Sequence, residues 1–101
     1  MIIYNVTIQV EKPVAEKWLR WLKEEHIPEV MQTGCFIKYQ VVKLLDTDET
    51  ESLTYAAQYY AENKSMLDRY LQDFAGELRQ KGIDAWGDRF IAFRTVMEIV
   101  Q

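Results

Sequence analysis

The sequence predicts an α+β fold, with four antiparallel strands in one sheet and two helices on one of its faces. Three observations carry this. Four segments alternate apolar and polar residues with period two. Two segments between them keep apolar residues at helical spacing. Their order is βαββαβ, and right-handed crossovers then place both helices on the same side.

Each element has its own signal. Residues 2–11 set Tyr4, Val6, Ile8 and Val10 against Asn5, Thr7 and Gln9, a half-buried strand. Lys12-Pro13 opens a helix, because proline suits the first helical position. The helix runs toward His26. Pro28 has no N–H and crowds the turn before it, so a kink or a stop is expected there. Residues 29–33 make a last turn, and Gly34 supplies the left-handed cap.

Residues 35–45 read as the second strand, with Ile37, Tyr39 and Val41 facing one way and Lys38 and Gln40 the other. The polar stretch 46–51 is a hairpin turn. The third strand, 52–61, puts Leu53, Tyr55, Ala57 and Tyr59 on one side. Ser65 with Asp68 marks the start of the second helix. Met66, Leu67, Tyr70, Leu71, Phe74 and Leu78 keep its spacing, and Gly82 is read as its end. Residues 84–88 turn the chain around Trp86. The last strand, 89–100, sets Ile91, Phe93, Thr95, Met97 and Ile99 against Phe90, Ala92, Arg94, Val96 and Glu98. This is the ferredoxin-like arrangement.

The helices are expected to cover Tyr4, Val6, Ile8, Tyr39, Val41, Tyr55, Phe93 and Met97. The other face then mixes amides and charges with Phe36, Val42, Ala56, Tyr60, Phe90, Ala92 and Val96. A freely solvated face would be more uniformly polar. Partly exposed aromatics near sheet edges are one explanation. A partner sheet is the stronger one. The expected homodimer interface is Phe36, Val42, Tyr60, Phe90, Arg94 and Val96.

Composition excludes several function classes. Apolar residues make up 49% of the 101 positions, enough for one globular domain over residues 1–101. Net charge is −4 without a basic cluster, which argues against nucleic acid and anionic membranes as partners. The third strand also lacks the glycine and basic residues of RNA-binding sheets. No apolar run approaches a membrane span, and the first residues lack the pattern of a signal peptide. The single Cys35 makes no internal disulfide and fits the reducing cytosol, so a cytoplasmic location is expected.

The chemistry-bearing residues are few. His26 is the only histidine. At 100° per residue it shares a sector with Ala15, Leu19 and Leu22, flanked by Trp18 and Val30. It is either a core histidine bonded to a tyrosine hydroxyl or a backbone carbonyl, or an acid, base or donor in a cleft. Glu25 and Glu29 beside it form no known metal motif, and no metal is expected. Cys35 lacks a neighbouring base in sequence, and the inert reading is favoured. Tyr4, Tyr39, Tyr55 and Tyr59 fall on the helix side, with Trp18 and Trp86 as walls. Tyrosines at strand spacing under helices are ordinary core. Four hydroxyls there still need partners or an opening, and a small pocket for an apolar or aromatic molecule would supply one.

The whole chain resembles an uncharacterised domain-of-unknown-function family of small bacterial proteins. The likeness rests on Met1-Ile2-Ile3-Tyr4-Asn5-Val6-Thr7, Trp18-x-x-Trp21 with Glu25-His26-Ile27-Pro28-Glu29-Val30, Tyr55-x-x-Gln58-Tyr59, and Phe90-Ile91-Ala92-Phe93-Arg94-Thr95. A helix-borne His-x-Pro after a first strand is also similar to the dimeric α/β-barrel superfamily. That group includes stress-responsive barrel proteins, antibiotic-biosynthesis monooxygenases and haem-degrading monooxygenases. The resemblance implies a homodimer whose sheets close into a barrel, with a ligand cleft between helices and sheet. Haem-degrading members use an asparagine on the first strand, a tryptophan, and a histidine on the second helix. Asn5 matches the first of these, but residues 65–81 contain no histidine, and no cofactor is expected. Two functions remain: a non-catalytic ligand-binding dimer, or a cofactor-independent enzyme, monooxygenase-like or isomerase-like, using His26.

Overall fold

β1 (Ile2–Glu11) pairs antiparallel with β3 (Ser52–Ala61) on one side and β4 (Phe90–Glu98) on the other. β2 (Lys38–Lys43) extends the sheet from β3, giving the order β2-β3-β1-β4. The computed structural model describes residues 1–101. The βαββαβ order and the antiparallel sheet are as the alternation predicts.

The first helical run does not stop at Pro28. A 3-10 turn (Lys12–Val14) leads into α1 (Ala15–Trp21), a π-helical turn (Leu22–His26) and α2 (Ile27–Gln32). The Ile27 N–H bonds to the Leu22 carbonyl, one residue further back than in an α-helix. An inserted residue widens the turn just where proline would crowd it, so the run passes Pro28. Gly34, at φ 76°, closes it as expected.

The second helical run departs from expectation in three places. Asn63, not Ser65, is its cap: the Asn63 side chain accepts the Met66 N–H at 3.0 Å. Phe74 breaks the run into α3 (Lys64–Asp73) and α4 (Ala75–Trp86). The end is Gly87 at φ 60°, so Trp86 is helical. Gly82 lies within α4, where a Cβ would meet Trp21 at 3.6 Å and Phe90 at 3.8 Å. It has room for a Cβ at ordinary contact distance and is not the helix end.

The register corrects the expected faces of β4. Val6 is opposite Arg94, Ile8 opposite Ala92, and Val10 opposite Phe90. These β4 residues therefore share the helix side with β1's core residues, and Val96, opposite Tyr4, joins them. Ile91, Phe93 and Met97 face the open side, with Ile91 55% and Phe93 59% exposed. The inward set carries Arg94 and Glu98 and the outward set is the more apolar, so alternation alone pointed the wrong way. Phe36 is also corrected. It precedes β2 and is buried under the helices, its ring 4.9 Å from Tyr70 and 5.3 Å from Tyr59. Of the six expected interface residues, Val42 and Tyr60 occupy the open face; Phe36, Phe90, Arg94 and Val96 do not.

The core is one cluster of 19 buried residues between helices and sheet. The open face divides in two. On β2 and β3, Gln40 bonds to Gln58 at 2.7 Å and to the Tyr60 hydroxyl at 3.1 Å. On β4, Ile91, Phe93 and Met97 form an apolar strip. No helix is long and apolar enough to cross a membrane.

Candidate functional site

A small cleft opens between the helices and the sheet, with a cavity volume of about 60 Å³. Its floor is built by alternate residues of three strands: Tyr4, Val6 and Ile8 of β1, Ala57 and Tyr59 of β3, and Phe90, Ala92 and Arg94 of β4. Trp18, Trp21, Leu22 and His26 form one wall. Tyr70, Leu78, Arg79 and Gly82 form the other.

Of the expected ligand residues, the cleft gathers His26, Trp18, Tyr4 and Tyr59. It leaves out three. Tyr55 packs beneath Trp18, ring centroids 5.7 Å apart. Tyr39 sits on the edge strand and is half exposed. Trp86 stands edge-on behind Trp21 at 6.1 Å, its indole nitrogen buried without a partner. Sequence reasoning missed Trp21, Tyr70 and Arg79 as lining residues, and it put Phe90 and Arg94 on the wrong side of the sheet.

His26 is half-buried, and its neighbour is the Trp21 indole, with ring centroids 4.9 Å apart. This replaces the expected hydrogen bond to a tyrosine or carbonyl. Burial pushes the imidazole pKa below its ordinary value; Glu29 pulls it up, and Arg94 pushes it further down. The neutral form is therefore favoured at pH 7. Glu29 is itself held by Lys81 of α4 at 2.6 Å, an exposed bridge that ties the two helical runs together at the mouth.

The other polar groups are donors. Burial raises the pKa of Tyr59, as do the neighbouring hydroxyls of Tyr70, Tyr4 and Tyr39. Burial and Tyr4 raise that of Tyr70, against the opposing fields of Arg79 and Arg94. Both phenols keep their protons. Arg79 donates from Nη2 to the Tyr4 hydroxyl at 2.9 Å, which fixes a helix-borne guanidinium above a strand-borne ring. Outside the cleft, Cys35 is buried, with its Sγ 3.8 Å from the Thr33 carbonyl. The arrangement offers aromatic surface for a flat apolar body, N–H and O–H donors at its polar end, and one neutral imidazole.

Comparison with known proteins agrees with this architecture. An antibiotic biosynthesis monooxygenase-like protein from Deinococcus radiodurans superposes with a TM-score of 0.67 at 18% identity, covering 100% of this chain and 94% of that one. A dimeric ferredoxin-like protein from an uncultured marine organism gives 0.68 at 10% identity, covering 99% and 96%. SnoaB, a cofactor-independent oxygenase from Streptomyces nogalater, gives 0.63 at 10% identity, covering 99% and 94%. At such identities the likeness is one of fold alone: this chain has the ferredoxin-like fold. No protein of curated function matches the sequence. The family pattern described as "Domain of unknown function (DUF4286)" matches residues 1–100, and the chain belongs to that family.

Proposed function

We propose that this is a cytoplasmic homodimer that binds a small apolar or aromatic molecule between its helices and its sheet, without transforming it. The carrying observation is the cleft itself, whose walls are mostly apolar and aromatic and whose polar groups are few. Dimerisation is supported by the apolar strip Ile91, Phe93 and Met97 on the open face. Two structures of the same fold are described as dimeric ferredoxin-like proteins.

The test is recovery of the ligand. Protein purified under native conditions, then denatured and extracted, should release one small aromatic or apolar compound at near-stoichiometric yield. A Trp18→Ala variant should lose it while remaining folded. Empty protein that also fails to bind any aromatic probe defeats the reading.

One observation favours a second function. The imidazole that lines the cleft is neutral at pH 7 and so available to take a proton. A cofactor-independent monooxygenase-like or isomerase-like enzyme would use His26 in that way. Incubating the recovered ligand with protein in air separates the two. An unchanged compound supports binding alone; a product that disappears with His26→Gln supports the enzyme.

A further inference from the structure

We infer that the cleft takes an anion: a small aromatic or other apolar carboxylate, its body along Trp21 and its carboxylate against Arg79 and Arg94. This rests on the ligand-cleft reading and narrows it to a chemical class.

The first observation is a local reversal of charge. The chain carries 16 acidic residues against 12 Lys and Arg, yet the cleft is lined by two arginines and a histidine and by no carboxylate. The second is that neither arginine is neutralised. The three ion pairs of the molecule are Lys43–Glu49, Lys64–Asp68 and Lys81–Glu29. Arg79 is held instead by the uncharged Tyr4 hydroxyl, which positions the guanidinium and leaves its charge free. Glu29, the acid whose charge reaches His26, is bonded to Lys81.

The third observation is convergence. Arg79 comes from α4 and Arg94 from β4, yet both act on the same buried hydroxyl, that of Tyr70. One guanidinium from a wall and one from the floor therefore line the same cleft, and the charge of each reaches the Tyr70 hydroxyl. Guanidinium is weakly hydrated and matches a carboxylate with paired N–H donors. Twelve of the sixteen lining residues are hydrophobic, which suits a hydrocarbon body with one charged end better than a multiply charged phosphate ester.

Naphthoate and its uncharged near-isostere naphthamide test this, because they differ mainly in charge. Binding is read by calorimetry and by fluorescence of Trp18 and Trp21. The acid should bind about tenfold more tightly than the amide, the ratio a gain of about 1.4 kcal/mol gives. In the double variant Arg79→Gln, Arg94→Gln the ratio should fall to about one, because the acid loses far more affinity than the amide. Circular dichroism and a cooperative thermal transition report that the variant is folded. Equal affinities in the unaltered protein overturn the anion proposal and leave the cleft standing. A preference for the acid that survives both substitutions overturns it too. If neither compound binds, the ligand-cleft reading itself falls.

Discussion

The imidazole of His26 lies over the indole of Trp21, ring centroids 4.9 Å apart and planes 22° from parallel. They are five positions apart in the chain. In a regular α-helix that spacing puts side chains about 140° apart. The π-turn across Leu22–His26 removes much of that angle. One inserted residue, placed just before Pro28, thus brings the only histidine onto a tryptophan.

Stability should fall as pH drops below the ordinary histidine value of 6.5. The folded-state pKa of His26 is depressed, chiefly by burial. Between the two values the unfolded chain binds more protons, which favours unfolding as pH falls. The contribution is full above about 6.5 and is lost on descent toward the folded-state value. Urea titrations from pH 7 to pH 5 should show this, and His26→Leu should flatten the profile. An equal slope in the variant would assign the effect to other groups.

Phe93 and Phe36 should separate assembly from folding. Phe93 is exposed on the open face, and Phe93→Asp should change mass rather than stability. Light scattering should give twice the 12.0 kDa chain mass for the parent and one chain for the variant. A parent that is monomeric at micromolar concentration refutes the dimer.

Phe36→Ala should cost about 3–5 kcal/mol in denaturant unfolding, as buried phenylalanine truncations do. Phe36 is 5% exposed and touches Tyr4, Tyr59 and Tyr70. A loss below about 1 kcal/mol would contradict this packing.

The two glycines near the end of the second helical run should behave oppositely. Gly87→Ala forces a Cβ onto φ 60°, ψ −128°, and should cost about 1–3 kcal/mol. Gly82→Ala places a methyl group at ordinary contact distance within α4 and should gain up to about 1 kcal/mol. Chemical denaturation of the two variants checks both signs. The reverse result would put the helix end at Gly82.

How much was legible follows from how local each signal is. Alternation in β1 and β3, the turn at 46–51 and the cap at Gly34 are set by neighbours in the chain, and the structure places them as read. The inward sector of Ala15 and Leu22, flanked by Trp18, was equally legible, because a regular period reaches it. The stacking of His26 on Trp21 was not, since a constant 100° per residue carries no inserted residue. Likewise Gly82 and Gly87 are both plausible helix ends on local grounds, and only packing against Trp21 and Phe90 assigns Gly82 its place.

The sequence by itself determined the element order, the antiparallel sheet and the presence of His26, Trp18, Tyr4 and Tyr59 on the inner side. Tertiary structure decided the face of β4, the burial of Phe36 and the presence of Arg79 and Arg94 in one cleft. The reason is physical. Each face of β4 carries apolar residues, and its orientation comes from hydrogen-bond register with β1, a partner eighty or more residues away in sequence. The two arginines lie on a helix and a strand, and the cleft that both line exists only once α4 has packed across the sheet.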